Sequence, residues 1–232
     1  MRTPTPDLSQ HPSPNCGERR NHARPDLIVL HYTAMISVEV ALDRLCDPAA
    51  EVSCHYLIAE DGRLWQLVPE DQRAWHAGAG QWGSVRDVNS RSIGIELANT
   101  STHPFPEPQM AALEALMPGI MTRWDIPVER VIGHSDMAPA RKYDPGGRFD
   151  WQRLARQGLS IWPDTPRDPA GQGFDALAET FGYAPTTPQD DRLCAFRDRF
   201  RPGANGPLCK DDLMCLADLA ARFPVDAHLP SA

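Results

Sequence analysis

Two histidines and one aspartate are the side chains of this sequence best suited to bind a metal ion. His31 follows the apolar run at residues 27–30, and His134 follows a second apolar run at residues 131–133. Asp144 comes ten residues after His134. Two imidazoles and one carboxylate form a common ligand set for catalytic zinc, in which a fourth position is left for water. Because zinc can lower the pKa of that water to about 7, such a site could supply the nucleophile for hydrolysis of an amide.

Two other charged residues could act on protons or on negative charge beside such a metal. Glu96 lies in the otherwise apolar segment at residues 93–97, where an ionised carboxylate costs free energy unless it is paired or functional. Lys142 lies two residues before Asp144, and an ammonium group there could stabilise the oxyanion of a tetrahedral intermediate. A histidine at the end of a strand is more often a hydrogen-bonded structural residue, so position alone leaves both interpretations open for each histidine.

The elements that must position these residues follow from the spacing of apolar side chains. Asp61-Gly62 between two apolar runs predicts a β-hairpin, and Ser37 predicts the start of a helix. Pro118 predicts a kink or a break in the helical pattern at residues 110–124. The mixed order of strands and helices predicts an α/β (α+β) fold with a central mixed β-sheet flanked by helices. The predicted strands lie at residues 27–31, 55–59, 64–68, 92–97 and 131–134.

A proline-rich segment at residues 162–169 divides the chain and is typical of a linker. Three helical patterns follow it, so the sequence predicts a small carboxy-terminal module of three helices. The predicted organisation comprises an irregular amino-terminal segment at residues 1–25, a catalytic domain at 26–162, a linker at 163–172, a helical domain at 173–224 and a tail at 225–232.

Composition and charge disfavour several classes of protein. Of the 232 residues, 41% are hydrophobic and 23% are charged, as is usual for a globular protein. The formal net charge of −8 disfavours binding to nucleic acid or to an anionic membrane, and no apolar stretch approaches the roughly 20 residues of a membrane-spanning helix. The first eight residues lack the apolar core of a secretory signal. The sequence therefore predicts a cytoplasmic location, or a periplasmic one if a signal has been removed.

The six cysteines, at positions 16, 46, 54, 194, 209 and 215, contain no C-x-x-C pair. This spacing disfavours a zinc ribbon or a thioredoxin-like motif and predicts free thiols, most of them buried. A disulfide bond between Cys46 and Cys54 is conceivable from the sequence.

Six short motifs occur in order along the chain. They are Leu-His-Tyr-Thr-Ala at residues 30–34, Ser-Cys-His-Tyr-Leu-Ile at 53–58, Ala-Trp-His-Ala-Gly at 74–78, Ser-Ile-Gly-Ile-Glu-Leu at 92–97, Ile-Gly-His-Ser-Asp-Met-Ala-Pro at 132–139 and Arg-Lys-Tyr-Asp-Pro-Gly at 141–146. Together they resemble the N-acetylmuramoyl-L-alanine amidases of the amidase-2 family, over approximately residues 20–162. That family shares its fold with phage T7-type lysozymes and with peptidoglycan recognition proteins.

The resemblance implies roles for seven side chains: the zinc ligands would be His31, His134 and Asp144, the catalytic pair Glu96 and Lys142, and the substrate-binding residues Trp75 and His76. Trp82, on the same loop as Trp75, would also line the substrate groove. The implied reaction is zinc-dependent hydrolysis of the amide bond between N-acetylmuramic acid, or 1,6-anhydro-N-acetylmuramic acid, and L-alanine. The substrates would be peptidoglycan fragments, as in cell-wall recycling.

Other interpretations stay open beside this one. Peptidoglycan recognition proteins share the fold and bind muropeptides without cutting them, although non-cutting members generally lack the third ligand, which is present here as Asp144. A purely structural zinc would need a fourth ligand, for which Cys54 is a candidate. Cys54 also stands where some relatives carry a catalytic tyrosine, which leaves more of the catalysis to Glu96 and Lys142. The carboxy-terminal helices resemble a small peptidoglycan-binding-like module, or they simply stabilise the catalytic domain.

Overall fold

Strands and helices alternate along most of the chain in the computed structural model, which describes residues 7–227. The strands among these residues are β1 (Leu8–Gln10), β2 (Cys16–Glu18), β3 (Leu27–Tyr32), β4 (Tyr56–Ile58), β5 (Leu64–Gln66), β6 (Gln72–Ala74), β7 (Ser92–Leu97) and β8 (Val131–Gly133). The α-helices are α1 (Val38–Cys46), α2 (Val88–Arg91), α3 (Glu107–Trp124), α4 (His134–Met137), α5 (Trp151–Arg156), α6 (Phe174–Phe181), α7 (Gln189–Phe200) and α8 (Lys210–Arg222). Within this part of the chain, none of the helices combines the length and the apolar character needed to span a membrane.

Six of these strands form a mixed sheet in the order β1-β5-β4-β7-β3-β8. β3 pairs in parallel with β7 and β8, and β7 also pairs in parallel with β4. β4 and β5 form an antiparallel hairpin, which confirms the prediction made from Asp61-Gly62. β2 and β6 form a separate antiparallel pair. The arrangement confirms the predicted α/β fold with a central mixed sheet flanked by helices.

Two short strands interrupt the segment predicted as irregular at residues 1–25. β1 pairs in parallel with β5 at the edge of the sheet, and β2 pairs with β6. The pairing of β1 with β5 is extended by the N–H of Ser13, which donates to the carbonyl oxygen of Leu67 at 2.8 Å. A short edge strand needs hydrogen bonds on one side and no long apolar run, so the apolar pattern does not reveal it. Residues 1–6 of the predicted lead-in and 228–232 of the predicted tail lie outside the described residues.

The alternating side chains of β3 place the sheet between two layers of helices. Leu27 and Val29 point to one face and belong to an apolar cluster with α6, α7 and α8. Ile28 and Leu30 point to the opposite face and pack with α3 and α5. Because successive side chains of a strand point to opposite faces, His31 lies on the same face as Val29.

Ser37 and Pro118 each predicted a feature of a helix, and α1 and α3 show the outcome. The hydroxyl of Ser37 accepts a hydrogen bond from an N–H of the first turn of α1 at 3.3 Å, which confirms the predicted helix start. α3 is continuous, so the break considered at Pro118 does not occur. Pro118 is exposed while Met117 and Ile120 are buried. Water can therefore solvate the carbonyl oxygen that loses its helical partner, and the apolar side of the helix stays packed.

The three carboxy-terminal helices share one core with the sheet. Phe181 of α6 and Phe196 of α7 belong to the same apolar cluster as Val29 of β3 and Ile132 of β8. This packing supports the alternative in which the helices stabilise the catalytic domain. The boundaries given for a separate helical domain at residues 173–224 stay a prediction.

A buried arginine links α7 to the sheet. The Arg199 side chain is 2% exposed, and its guanidinium donates to Asp136 Oδ2 at 2.7 Å and to the carbonyl oxygen of Val131 at 2.7 Å. The hydroxyl of Tyr183 donates to the other oxygen of Asp136 at 2.8 Å. Because both charges are removed from water, the loss of one partner leaves the other buried and unpaired.

Replacement of Arg199 by alanine should lower the free energy of unfolding by about 3–5 kcal/mol, because the Asp136 carboxylate would stay buried without a cation. Urea denaturation followed by circular dichroism measures this change. The control Arg20→Ala removes an ion pair with Asp87 in which the arginine side chain is 69% exposed, and it should have a far smaller effect. Equal effects of the two substitutions would contradict the structural role of Arg199.

A second buried carboxylate joins α7 to α8 and makes stability depend on pH. Asp212 accepts hydrogen bonds from Arg197 Nη2 at 2.5 Å and from the N–H of Cys209 at 3.0 Å, and Arg201 also donates to it. Burial acts to raise the pKa of Asp212, but the hydrogen bonds from Arg197 and Cys209 outweigh it and hold the pKa well below its usual range.

The free energy of unfolding of Asp212→Asn should be lower than that of the native protein at neutral pH. Because the folded-state pKa of Asp212 is depressed, its contribution is fully present above the unfolded-state pKa of about 4 and is lost as the pH falls through the folded-state value. The difference between the two proteins should therefore shrink in denaturation curves recorded below about pH 4. A difference that stays constant into acid would rule out the ionised pair.

Candidate metal centre and active site

Three parallel strands bring predicted site residues together at the carboxyl ends of the strands. β3, β7 and β8 run in the same direction, so their carboxyl ends lie together. His31, near the end of β3, is directly opposite Glu96 of β7 in the strand register. His134 follows β8 immediately and is the first residue of α4. Asp144 lies in the loop after α4, where its carbonyl oxygen accepts a hydrogen bond from the N–H of Ser135 at 2.9 Å.

The ligand atoms of the two histidines and the aspartate converge into a triangle. His31 Nδ1 lies 2.9 Å from His134 Nδ1 and 2.9 Å from Asp144 Oδ2, and His134 Nδ1 lies 3.0 Å from the same oxygen. All three residues are buried. With the aspartate ionised, protons on the two imidazoles cannot satisfy all three contacts, whereas a bound cation can. The triangle therefore has the chemistry of a metal site.

The charge states of these groups also suit a metal ion. Burial, together with the neighbouring His134, lowers the pKa of His31 to about 4. Burial acts to raise the pKa of Asp144, but the hydrogen bonds from His134 and His31 outweigh it and hold that pKa well below its usual range. A neutral imidazole and an ionised carboxylate are the forms that coordinate metals, so His31 and Asp144 are ready to bind one at neutral pH.

The second ring nitrogen of each histidine contacts the loop that follows β6. His134 Nε2 lies 2.9 Å from the carbonyl oxygen of Ala77, and His31 Nε2 lies 2.9 Å from Nδ1 of His76. In protein metal sites the ring nitrogen that does not bind the ion usually donates to such a partner, which fixes the orientation of the ring. These contacts are therefore typical of metal-binding histidines.

Glu96 combines burial with an unused oxygen. Within residues 7–227, its Oε2 atom is enclosed and has no hydrogen-bond partner. Burial, with the negative charge of Asp144, raises the pKa of Glu96 to about 8, although Lys142 acts in the opposite direction. A carboxylate with a pKa near neutrality is suited to accept a proton and to return it.

A cavity of about 360 Å³ opens onto the triangle. The seven residues predicted for the site all line it: His31, His134, Asp144, Glu96, Lys142, Trp75 and His76. Met35, Arg44 and Tyr143 also form its walls, although the sequence pattern predicted no role for them. Tyr143 lies within the motif at residues 141–146, whereas Met35 and Arg44 lie outside the six motifs. All three join the cavity because α1 and the neighbouring loops fold over the strand ends.

The aromatic residues predicted to line the substrate groove differ in their surroundings. Trp75 is partly exposed in the cavity. His76 also lines the cavity, but both of its ring nitrogens are engaged within the protein, Nδ1 with His31 and Nε2 with Ser92 Oγ at 3.1 Å. Direct polar contact between His76 and a substrate would require it to give up one of these partners.

The expectation that Trp82 lines the groove is wrong. Its side chain is 1% exposed and packs edge-on against Phe181 and Tyr183, with ring centroids 5.5 and 5.3 Å apart. The end of α6 and the residues after it cover this part of the loop. No local sequence pattern indicates that contact, because the packing partners lie about 100 residues away in the chain.

Cys54, the candidate for a fourth ligand, does not join the triangle. Its side chain is buried in an apolar cluster with Leu57 and Leu67, and burial raises the pKa of its thiol well above the usual value. Since the thiolate is the form that binds metals, this environment supports a site with three ligands. All six cysteines are unpaired in residues 7–227, so Cys46 and Cys54 form no disulfide here.

Comparison with known proteins agrees with this geometry. The family model described as Amidase_2, N-acetylmuramoyl-L-alanine amidase, matches residues 21–147, more than half of the chain. The N-acetylmuramoyl-L-alanine amidase AmiD of Escherichia coli is 38% identical over 216 residues, which cover 78% of this chain and 76% of that protein. The 1,6-anhydro-N-acetylmuramyl-L-alanine amidase AmpD of Enterobacter cloacae is 36% identical over 165 residues, or 64% of this chain and 88% of that protein.

Solved structures show the same relationship in three dimensions. AmiD from E. coli, in complex with the substrate anhydro-N-acetylmuramic acid-L-Ala-D-gamma-Glu-L-Lys, has a TM-score of 0.79 at 34% identity and covers 89% of this chain and 92% of its own. AmpDH3 from Pseudomonas aeruginosa, in complex with anhydromuramic pentapeptide, has a TM-score of 0.79 at 31% identity and covers 87% and 93%. The chain therefore belongs to the N-acetylmuramoyl-L-alanine amidase family.

Proposed function

We propose that this chain hydrolyses the amide bond between N-acetylmuramic acid, or its 1,6-anhydro form, and L-alanine in peptidoglycan fragments. The observation that carries the proposal is the buried triangle of His31, His134 and Asp144, which faces a cavity that Glu96 also lines. Family membership supports it, and two structurally similar relatives are seen with anhydromuramic peptides. Anhydro-muropeptides are therefore the substrates to test first.

The donor set of the triangle fits a zinc ion. Two imidazole nitrogens and one carboxylate oxygen are ligands found in zinc hydrolases, and a set of three leaves a position open for a reactant. A structural zinc would have four protein ligands, and Cys54 lies outside the triangle. When bound, zinc would polarise a substrate carbonyl and lower the pKa of water to about 7.

The chain's own residues carry out the proton transfers. Glu96 takes a proton from the attacking water, and the same carboxyl group returns it to the nitrogen of the departing L-alanine. Its Oε2 atom has no hydrogen-bond partner among residues 7–227 and is therefore available to hold the proton, and its pKa of about 8 suits the return of that proton to the amine. Lys142, which lines the same cavity, stabilises the negative charge on the carbonyl oxygen of the tetrahedral intermediate.

The wall of the cavity provides a binding surface for the muropeptide. Trp75 is partly exposed there, and its indole offers an apolar face against which a sugar ring or a peptide side chain can pack. His76 is less suited to direct polar contact, since its ring nitrogens bond to His31 and Ser92. We therefore assign substrate contact chiefly to Trp75.

The alternative is a protein that binds peptidoglycan without cutting it. Such a protein needs a groove, but it does not need a complete set of metal ligands or a proton acceptor. Asp144 completes the ligand triangle here, and Glu96 lines the same cavity and has one enclosed oxygen without a hydrogen-bond partner among residues 7–227. These two features favour the enzyme.

A purified 1,6-anhydro-muropeptide incubated with the zinc-loaded protein should release its stem peptide, which mass spectrometry detects. Chelation should abolish the release and added zinc should restore it, because hydrolysis needs a polarised carbonyl and an activated water. Cleavage of intact sacculi but not of the soluble fragment would support the amidase activity and contradict the proposal that soluble fragments are the substrate. Binding of both substrates without cleavage would favour the recognition alternative.

Two substitutions should separate metal binding from proton transfer. Asp144→Ala removes a ligand, so bound zinc and activity should fall together. Glu96→Gln keeps the shape of the side chain but cannot take a proton, so kcat should fall about 10²–10⁴-fold while bound zinc, measured by mass spectrometry of the metal, stays at the native level. Full activity of Asp144→Ala would contradict the assignment of Asp144 as a metal ligand, and full activity of Glu96→Gln would contradict the role of Glu96 in proton transfer.

A further inference from the structure

Adjacent residues of the loop after β6 contact both histidines of the metal centre. His76 Nδ1 lies 2.9 Å from His31 Nε2, and the carbonyl oxygen of Ala77 lies 2.9 Å from His134 Nε2. We infer that His76 is a positioning residue that fixes the tautomer and ring orientation of His31, while Ala77 does the same for His134. This inference rests on the proposed metal site and concerns how that site is kept ready for the ion.

A chain of hydrogen bonds assigns the proton on His31. Ser92 Oγ donates to the carbonyl oxygen of Val88 at 2.5 Å, so it accepts from Nε2 of His76, 3.1 Å away. In a neutral imidazole one nitrogen donates and the other accepts, so His76 Nδ1 accepts the proton of His31 Nε2. His31 Nδ1 is left with a free lone pair, which is directed at the ligand triangle.

One side chain binds two successive N–H groups of the loop. Asn89 Oδ1 accepts hydrogen bonds from the N–H of His76 at 3.0 Å and from the N–H of Ala77 at 2.8 Å. Asn89 is buried and belongs to α2, which leads directly into β7. Because one oxygen binds both N–H groups, the two residues are held together, and one loop sets the direction of both imidazoles.

The ring of His76 rests directly on Gly94 of β7. A Cβ atom at position 94 would lie 2.4 Å from Cγ of His76, which is closer than atoms can pack. The N–H of Gly94 also donates to His55 Nδ1 at 2.9 Å, which holds the strand in place. Glycine at this position is therefore what lets His76 reach His31, and a substitution there can displace the ring without changing its chemistry.

The zinc affinity of the full chain, measured by competition with a chromophoric chelator, tests the inference. His76→Phe keeps a planar ring but removes the acceptor, so zinc should bind about 10–100-fold more weakly. His76→Asn places an amide oxygen where histidine carries Nδ1, so it should recover most of the affinity. Gly94→Ala should resemble His76→Phe, because the methyl group pushes the ring away from His31.

A histidine outside the cavity provides the matched control. His103 has a side chain that is 42% exposed, and His103→Phe should bind zinc as the native protein does. The absorption spectrum of the cobalt-loaded protein adds a readout that a loss of fold stability alone would not move, because its bands report the geometry of the ligands. The bands should shift in His76→Phe and Gly94→Ala and stay close to native in His76→Asn.

Native zinc affinity and an unchanged cobalt spectrum in both His76→Phe and Gly94→Ala would overturn the positioning role while leaving the metal centre intact. Failure of the native protein to bind zinc would instead overturn the metal centre, and this inference with it. If circular dichroism shows that His76→Phe does not fold, the comparison of Gly94→Ala with His76→Asn decides the matter. Equal affinities in those two variants would reject the inference.

Discussion

The fold must keep three metal-ligand atoms, each with a lone pair, close together in the interior of the protein. The ligand atoms of His31, His134 and Asp144 lie within 3.0 Å of each other and away from bulk water. Such a group is unfavourable without a cation, so the fold around it must supply the free energy that keeps it together. Parallel pairing of β3 with β8 helps to hold the ligand atoms together, because its backbone hydrogen bonds fix the two strand ends at which the histidines lie.

The same constraint explains the other properties of the site. Since Glu96 is the register partner of His31, its carboxylate is confined beside the ligand triangle, where burial and Asp144 raise its pKa. Helices on both faces of the sheet keep water from the strands. Arg199 of α7 binds both Asp136 and the carbonyl oxygen of Val131 in β8, and so attaches α7 to this strand. The carboxy-terminal helices are therefore part of the support of the site, whatever else they bind.

Much of the local structure could be predicted because it depends on neighbouring residues. The hairpin at Asp61-Gly62, the helix start at Ser37 and the strands that carry His31 and Glu96 follow from turn chemistry, capping and apolar runs. The two amino-terminal strands, the unbroken α3 and the burial of Trp82 depend on partners that are distant in the chain. No local pattern encodes such contacts, so these features could not be predicted.

The sequence by itself determined which side chains are available for chemistry, because six motifs in order, which resemble those of the amidase family, contain the seven candidate positions. The tertiary structure alone decided how those side chains are tuned. Burial at the sheet edge sets the pKa values of His31 and Glu96, and the loop at His76 and Ala77 meets both imidazoles only after β6 and α2 have packed. The physical reason is that desolvation and hydrogen-bond geometry depend on all the atoms surrounding a group, and most of those atoms come from distant parts of the chain.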